Sequence, residues 1–216
     1  MITNVKLFGP RCLVEFHRLK TASKILIPDS AQERDTHRFG IVRYLGDGVV
    51  KGKSDPKPAL VKVGDVVMFQ LNNIMEATQK FVLDGKHYMN LLQDELIARV
   101  IGEDVNVDNL EMLGEYVLLK HFMREQPGSQ IVLPDSAHLR TSSPDFIYFR
   151  CLKKGSLVDK AVNEGSEVVV NFGRLTPMFI VRRDADGTST NLEYVYTRND
   201  WIDGVVEGED AGPSKT

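Results

Sequence analysis

The sequence predicts an all-β protein built from two similar halves, each a small β-barrel or sandwich. Short β-branched runs alternate with turn residues, and no long stretch has the spacing of an amphipathic helix. Much of the pattern is also written twice. Lys-Ile-Leu-Ile-Pro-Asp-Ser-Ala at Lys24–Ala31 returns as Gln-Ile-Val-Leu-Pro-Asp-Ser-Ala at Gln130–Ala137, 106 residues later. Other pieces fall into step at offsets that drift by a few residues, as loops of different length require. Gly64–Phe69 meets Gly165–Val170, and Asp94–Ile101 meets Asn199–Val206.

In the first half, Arg11–His17 reads as a strand, followed by the polar loop that holds the first aliphatic triplet. Gly40–Leu45 is the next strand, stopped by Gly46-Asp47-Gly48. A long polar excursion, Val49–Ala59, leads to the turn Val61–Asp65 and the strand Val66–Gln70. Lys80–Leu83 and His87–Asn90 flank Asp84-Gly85, a strong hairpin signal. Asp94-Glu95 opens one helical or 3-10 turn before a closing strand, Ile97–Ile101. The second half repeats the plan: strands Tyr116–Phe122 and Phe146–Leu152, a shorter excursion at Lys153–Asn163, and a hairpin of Met178–Arg183 with Glu193–Tyr196 around Asp184–Thr188. The expected division is a first domain at 1–102, an acidic linker at 103–109, a diverged second domain at 110–206 and a disordered tail at 207–216. Many short strands with regular punctuation match a barrel or sandwich architecture.

Composition narrows the function classes. The 42% hydrophobic fraction suffices for packed cores, and a net charge of −3 with no basic stripe argues against nucleic acid or an anionic membrane as partner. No apolar run reaches the length of a membrane span, and Met1–Lys6 lacks the signature of a secretory leader. Cys12 and Cys151 lie in apolar runs and read as reduced, buried thiols, so the expected compartment is the cytoplasm.

Catalytic and cofactor motifs fail on inspection. Gly52-Lys53-Ser54 suggests a phosphate loop, but Asp47 stands where the first glycine is required, and Asp55-Pro56-Lys57-Pro58 cannot open the necessary helix. Asp184-Ala185-Asp186-Gly187 lacks a calcium-loop ligand position. The histidines at 17, 37, 87, 121 and 138 have no metal-type spacing, and no nucleophile elbow occurs. No cofactor, metal or catalytic centre is expected.

The residues do resemble a known family. Lys24–Ala31, Arg38–Val42 with Gly46-Asp47-Gly48, Val61–Phe69, and Leu83-Asp84-Gly85 through Asp94–Ala98 together are similar to the GroES-like co-chaperonins, along Leu7–Ile101. Leu113–Val206 resembles a diverged copy, best at Ile131–Asp135. The resemblance implies two tandem, partly open β-barrels and a homo-oligomeric ring that caps a GroEL-like chaperonin. It also implies a hairpin roofing a chamber in which unfolded client proteins fold. Carried over by position, Ile25, Leu26 and Ile27 form one docking triplet and Ile131, Val132 and Leu133 the other. Ser23-Lys24 and Ser129-Gln130 stand where the family usually has paired glycines.

Burying a triplet is worth on the order of 5–9 kcal/mol gross. Fixing loop backbone costs roughly 1–2 kcal/mol per residue. A single loop therefore binds weakly, and several loops on one ring bind well. Two readings from other classes compete. A medium-chain alcohol dehydrogenase fragment would share the barrel, but its dinucleotide fold and zinc ligands are missing from this sequence. A tandem-barrel scaffold that no longer meets a chaperonin is the stronger rival.

Overall fold

The computed structural model describes residues 5–16, 37–49, 58–70, 79–102, 107–121, 146–183 and 189–206. The first sheet contains β1 (Arg11–Phe16), β2 (His37–Leu45), β3 (Val66–Gln70), β4 (Lys80–Leu83), β5 (Lys86–Leu92), β6 (Leu96–Val100) and β7 (Leu110–Met112). Its spatial order is β4-β5-β1-β2-β3-β6-β7. The second contains β8 (Tyr116–His121), β9 (Phe146–Lys154), β10 (Glu167–Asn171), β11 (Thr176–Arg183), β12 (Ser189–Arg198) and β13 (Ile202–Val206), in the order β11-β12-β8-β9-β10-β13. Every paired strand is antiparallel, and neither sheet closes on itself. The expected all-β fold, two partly open barrels, is what forms.

The two sheets share their plan down to individual bonds. Both first strands carry a bulge, at Leu13/Val14 and at Leu118/Leu119. Both third strands shift register against the closing strand, at Met68/Phe69 and at Val169/Val170. A single 3-10 turn, Gln93–Glu95 or Asn199–Trp201, precedes each closing strand. Gly46 N–H donates to Arg11 O as Gly155 N–H does to Tyr116 O, and Gly64 N–H donates to Val42 O as Gly165 N–H does to Cys151 O. Gly64 and Gly165 both take positive φ, +97° and +89°, which only glycine adopts readily. The Asp84-Gly85 hairpin forms as its sequence requires, with both residues at positive φ.

Successive residues of a strand are buried on both faces, and alternation decides which core each enters. Cys12, Val14, Val42, Val67, Phe69, Met89, Leu91 and Leu96 fill the first barrel, and Val117, Leu119, Phe149, Cys151, Val168 and Val170 fill the second. A further core lies between the barrels. Met68, Ile97, Ala98 and Val100 from the first sheet meet Leu118, Met178, Tyr194 and Tyr196 from the second, with Leu110 and Met112 of β7 packed among them. Strand β7 precedes the second barrel in the chain yet hydrogen-bonds to the first, pairing Ala98 with Met112, Arg99 with Glu111 and Val100 with Leu110. The Tyr196 hydroxyl donates to Gln70 across this junction, and Lys153 Nζ donates to Asp108 O.

A shared core couples the unfolding of the two barrels. Trp201, the chain's one tryptophan, reports on the second barrel, whereas far-ultraviolet circular dichroism reports on both. The two signals are expected to lose structure at the same temperature in the parent chain. Met112→Ala removes the side chain at the centre of the junction, costs about 2–5 kcal/mol, and should pull the two transitions apart.

Candidate functional site

The residues singled out for docking, Ile25, Leu26, Ile27, Ile131, Val132 and Leu133, lie outside the described residues, as do Gly52–Ser54, Asp184–Gly187 and the tail 207–216. The structure instead describes the roots from which the triplet-bearing segments leave. Residues 17–36 connect β1 to β2, and residues 122–145 connect β8 to β9, so both triplets sit on the connection between the first and second strands of their sheets.

Each root is held by strand pairing that continues to its last described residue. Phe16 is opposite Gly40 and Glu15 opposite Ile41, while His121 is opposite Phe149 and Lys120 opposite Arg150. Gly40 is required by crowding, since a Cβ there would lie 2.3 Å from Val14 Cγ1 and 2.7 Å from Glu15 O. The register puts Phe149 in the place of Gly40, and Phe149 is buried in the second core. The two roots therefore reach the same backbone arrangement with different packing. Phe16 packs against Phe69 with ring centroids 6.0 Å apart, and Lys80 Nζ lies 5.8 Å from the Phe16 centroid. In the second root the His121 and Phe149 rings meet edge to face at 5.7 Å.

Glu15 ties three strands together beside the first root. Its carboxylate accepts from Lys86 Nζ of β5 at 2.9 Å and from Arg43 Nε of β2. Lys86 first and then Arg43 hold its pKa below the ordinary carboxylate value of 4.5. A depressed folded pKa means that the native state binds fewer protons. The contribution is therefore complete above about pH 4.5 and is lost as pH falls through the folded value. Glu15→Gln should lower the unfolding midpoint at pH 7, and the gap from the parent should narrow progressively as pH is taken from 7 to below 4.5. A gap that stays constant over that range would contradict this role.

The Gly-Asp-Gly turn is a clip on the entering chain. Asp47 Oδ1 accepts from Gly9 N–H at 2.8 Å and Val49 N–H at 3.1 Å, and these backbone donors lower its pKa. The second barrel has no Gly-x-Gly here, yet Gly155 takes the place of Gly46 and Leu157 that of Gly48. Leu157 N–H donates to Gly114 O as Gly48 N–H does to Gly9 O. Burial pushes the Cys12 thiol up to about 12 and Cys151 up to about 11, which leaves both unreactive at neutral pH. Among the described residues no helix is long and apolar enough to cross a membrane.

A family model described as "Chaperonin 10 Kd subunit" matches residues 4–100. The Co-chaperonin GroES of Hydrogenobaculum sp. (strain Y04AAS1) is 37% identical over 79 residues, which cover 37% of this chain and 76% of that protein. That of Aquifex aeolicus (strain VF5) is 37% identical over 81 residues, covering 38% of this chain and 62% of that protein. That of Anoxybacillus flavithermus (strain DSM 21510 / WK1) is 33% identical over 100 residues, covering 45% of this chain and 99% of that protein.

Proposed function

The chain belongs to the GroES-like co-chaperonin family, and from that premise we propose that it caps a GroEL-like chaperonin ring in the cytoplasm and assists ATP-dependent folding of client proteins. Members of the family are not enzymes, and neither is this chain. Docking runs through Ile25, Leu26 and Ile27 on one connection and Ile131, Val132 and Leu133 on the other. The second barrel is a diverged duplicate of the first, and a homo-oligomer presents several triplets at once.

One observation supports this reading above all: two aliphatic triplets, each followed by Pro-Asp-Ser-Ala, occupy the same connection in two sheets whose strand order is the same apart from the added β7. Apolar side chains repeated at one topological position suit a partner with an apolar groove. The burial of each triplet and the cost of ordering its loop nearly cancel, so capture depends on many contacts and is reversible when the partner's nucleotide state changes. Gel filtration with a GroEL-like chaperonin tests the proposal. Co-elution that requires ATP supports it, and separation under all nucleotide conditions favours the scaffold reading.

A further inference from the structure

The second barrel carries a longer hairpin ribbon than the first. Strand β5 runs only two residues past its last pairing with β1, from Tyr88, opposite Glu15, to Lys86. Its counterpart β12 runs six residues past its last pairing with β8, from Val195, opposite Leu119, to Ser189. At roughly 3.3 Å per residue that is about 7 Å against about 20 Å. Over this length β12 stays paired with β11, from Phe179 opposite Glu193 to Arg183 opposite Ser189. Among the described residues Ser189–Glu193 has no strand on its other side. Leu83 and Lys86 close the first hairpin at Asp84-Gly85, whereas the matching pair, Ile180 and Leu192, is followed by three further pairs.

The ribbon stands between the two connections that carry the triplets. Its base is fixed by Met178 and Tyr194, 2% and 8% exposed in the core between the barrels. The Tyr196 hydroxyl donates to Gln70, and Gln70 is opposite His37, the first described residue after the segment 17–36. On its other side β12 pairs with β8, whose last described residue, His121, precedes the segment 122–145. Because β12 is antiparallel to β8, the ribbon extends toward the same end of the barrel from which residues 122–145 depart.

A two-stranded ribbon in water is marginal by itself, and unpaired strand edges seek a partner. The chemistry of this one is polar. Beyond Ile180 and Leu192 the described residues are Val181, Arg182, Arg183, Ser189, Thr190 and Asn191, which offer two cations, one aliphatic side chain and no carboxylate. Asp184 and Asp186 follow in the closing turn, outside the described residues, so bulk charge contributes little. Recognition then falls to Arg182 and Arg183, a residue type that binds carboxylates through paired hydrogen bonds. We infer that the β11–β12 ribbon is a second contact with the partner on which the triplets dock, the Arg182-Arg183 pair meeting carboxylates beside the apolar groove. The inference rests on the docking reading and deepens it, since it gives the second barrel a contact that the first, with its short hairpin, does not have.

Two variants of the full chain test it by titration against a GroEL-like chaperonin with ATP. One replaces Val181–Asn191 by Asp-Gly, which copies the turn that closes the first hairpin. The other is Arg182→Glu with Arg183→Glu. Each should weaken capture about tenfold or more at low ionic strength, because the loss recurs at every copy in the oligomer. The far-ultraviolet spectrum and the unfolding midpoint should stay as in the parent. The deficit of the Arg182→Glu, Arg183→Glu chain should shrink in about 1 M salt, where charges are screened beyond about 3 Å. Capture of both variants at the parent's strength overturns the inference and leaves triplet docking standing. A deficit confined to the shortened ribbon, with the arginine variant behaving as the parent, overturns the assignment to the arginine pair. A parent chain that is not captured in any nucleotide state removes the docking reading, and this inference with it.

Discussion

The double variant Leu26→Asp, Val132→Asp is expected to lose chaperonin capture, with each single variant retaining part of it. Removing one buried aliphatic side chain forfeits roughly 1.5–3 kcal/mol, about ten- to a hundredfold in affinity for one docked segment. Placing a carboxylate in an apolar groove adds a desolvation cost. Because each oligomer presents many segments, these losses compound rather than average. Surface substitutions usually change stability by less than about 0.5 kcal/mol, so the unfolding midpoint should stay within about 2 °C of the parent. Capture that survives in the double variant with the midpoint intact would place the docking residues elsewhere.

Gly46→Ala and Gly155→Ala should be the most damaging small changes in the two barrels. A Cβ on Gly46 would lie 2.2 Å from Gly9 O, and one on Gly155 would lie 2.3 Å from Gly114 O and 2.7 Å from Leu113 O. Those obstacles are backbone, so relief requires moving the entering chain away from β2 or β9. Overpacking of this kind costs typically about 1–3 kcal/mol, and the value here should lie at or above the top of that range. The Gly155 change has a second consequence, because Leu113 and Met112 belong to the junction. Gly46→Ala should lower the thermal midpoint of the first barrel, while Gly155→Ala should also weaken the coupling between tryptophan and circular-dichroism transitions. Equal midpoints for the parent and both variants would contradict the close backbone approach.

Much of the fold was legible because the relevant signals are local. Asp84-Gly85 can hardly sit anywhere but in a tight hairpin, and Val66–Gln70 is a short apolar run, buried from Val67 to Phe69, that follows the turn at Gly64-Asp65. Asp94-Glu95 sits in the short turn expected before β6, closed by Glu95 Oε2 accepting from Leu92 N–H. What escaped was tertiary. Leu110-Glu111-Met112 is too short to show a period, and its sequence says nothing about which barrel it joins. The match of Phe149 to Gly40 was hidden because register depends on bulges, which pattern does not reveal. Setting Val5–Phe8 against Leu110–Leu113, each just before a glycine at positive φ (Gly9 and Gly114), is the signal that could have exposed the junction. At the candidate site, residue type and repetition pointed to the triplets, and the structure adds the equivalent roots from which both depart.

The most direct test of the account is hydrogen exchange of the full chain, free and with a GroEL-like chaperonin plus ATP, read at Lys24–Ala31 and Gln130–Ala137. Docking through both triplets predicts that amides in both segments exchange more slowly in the complex while β1 and β8 stay as they were. Exchange in both segments that is identical with and without the chaperonin would contradict it.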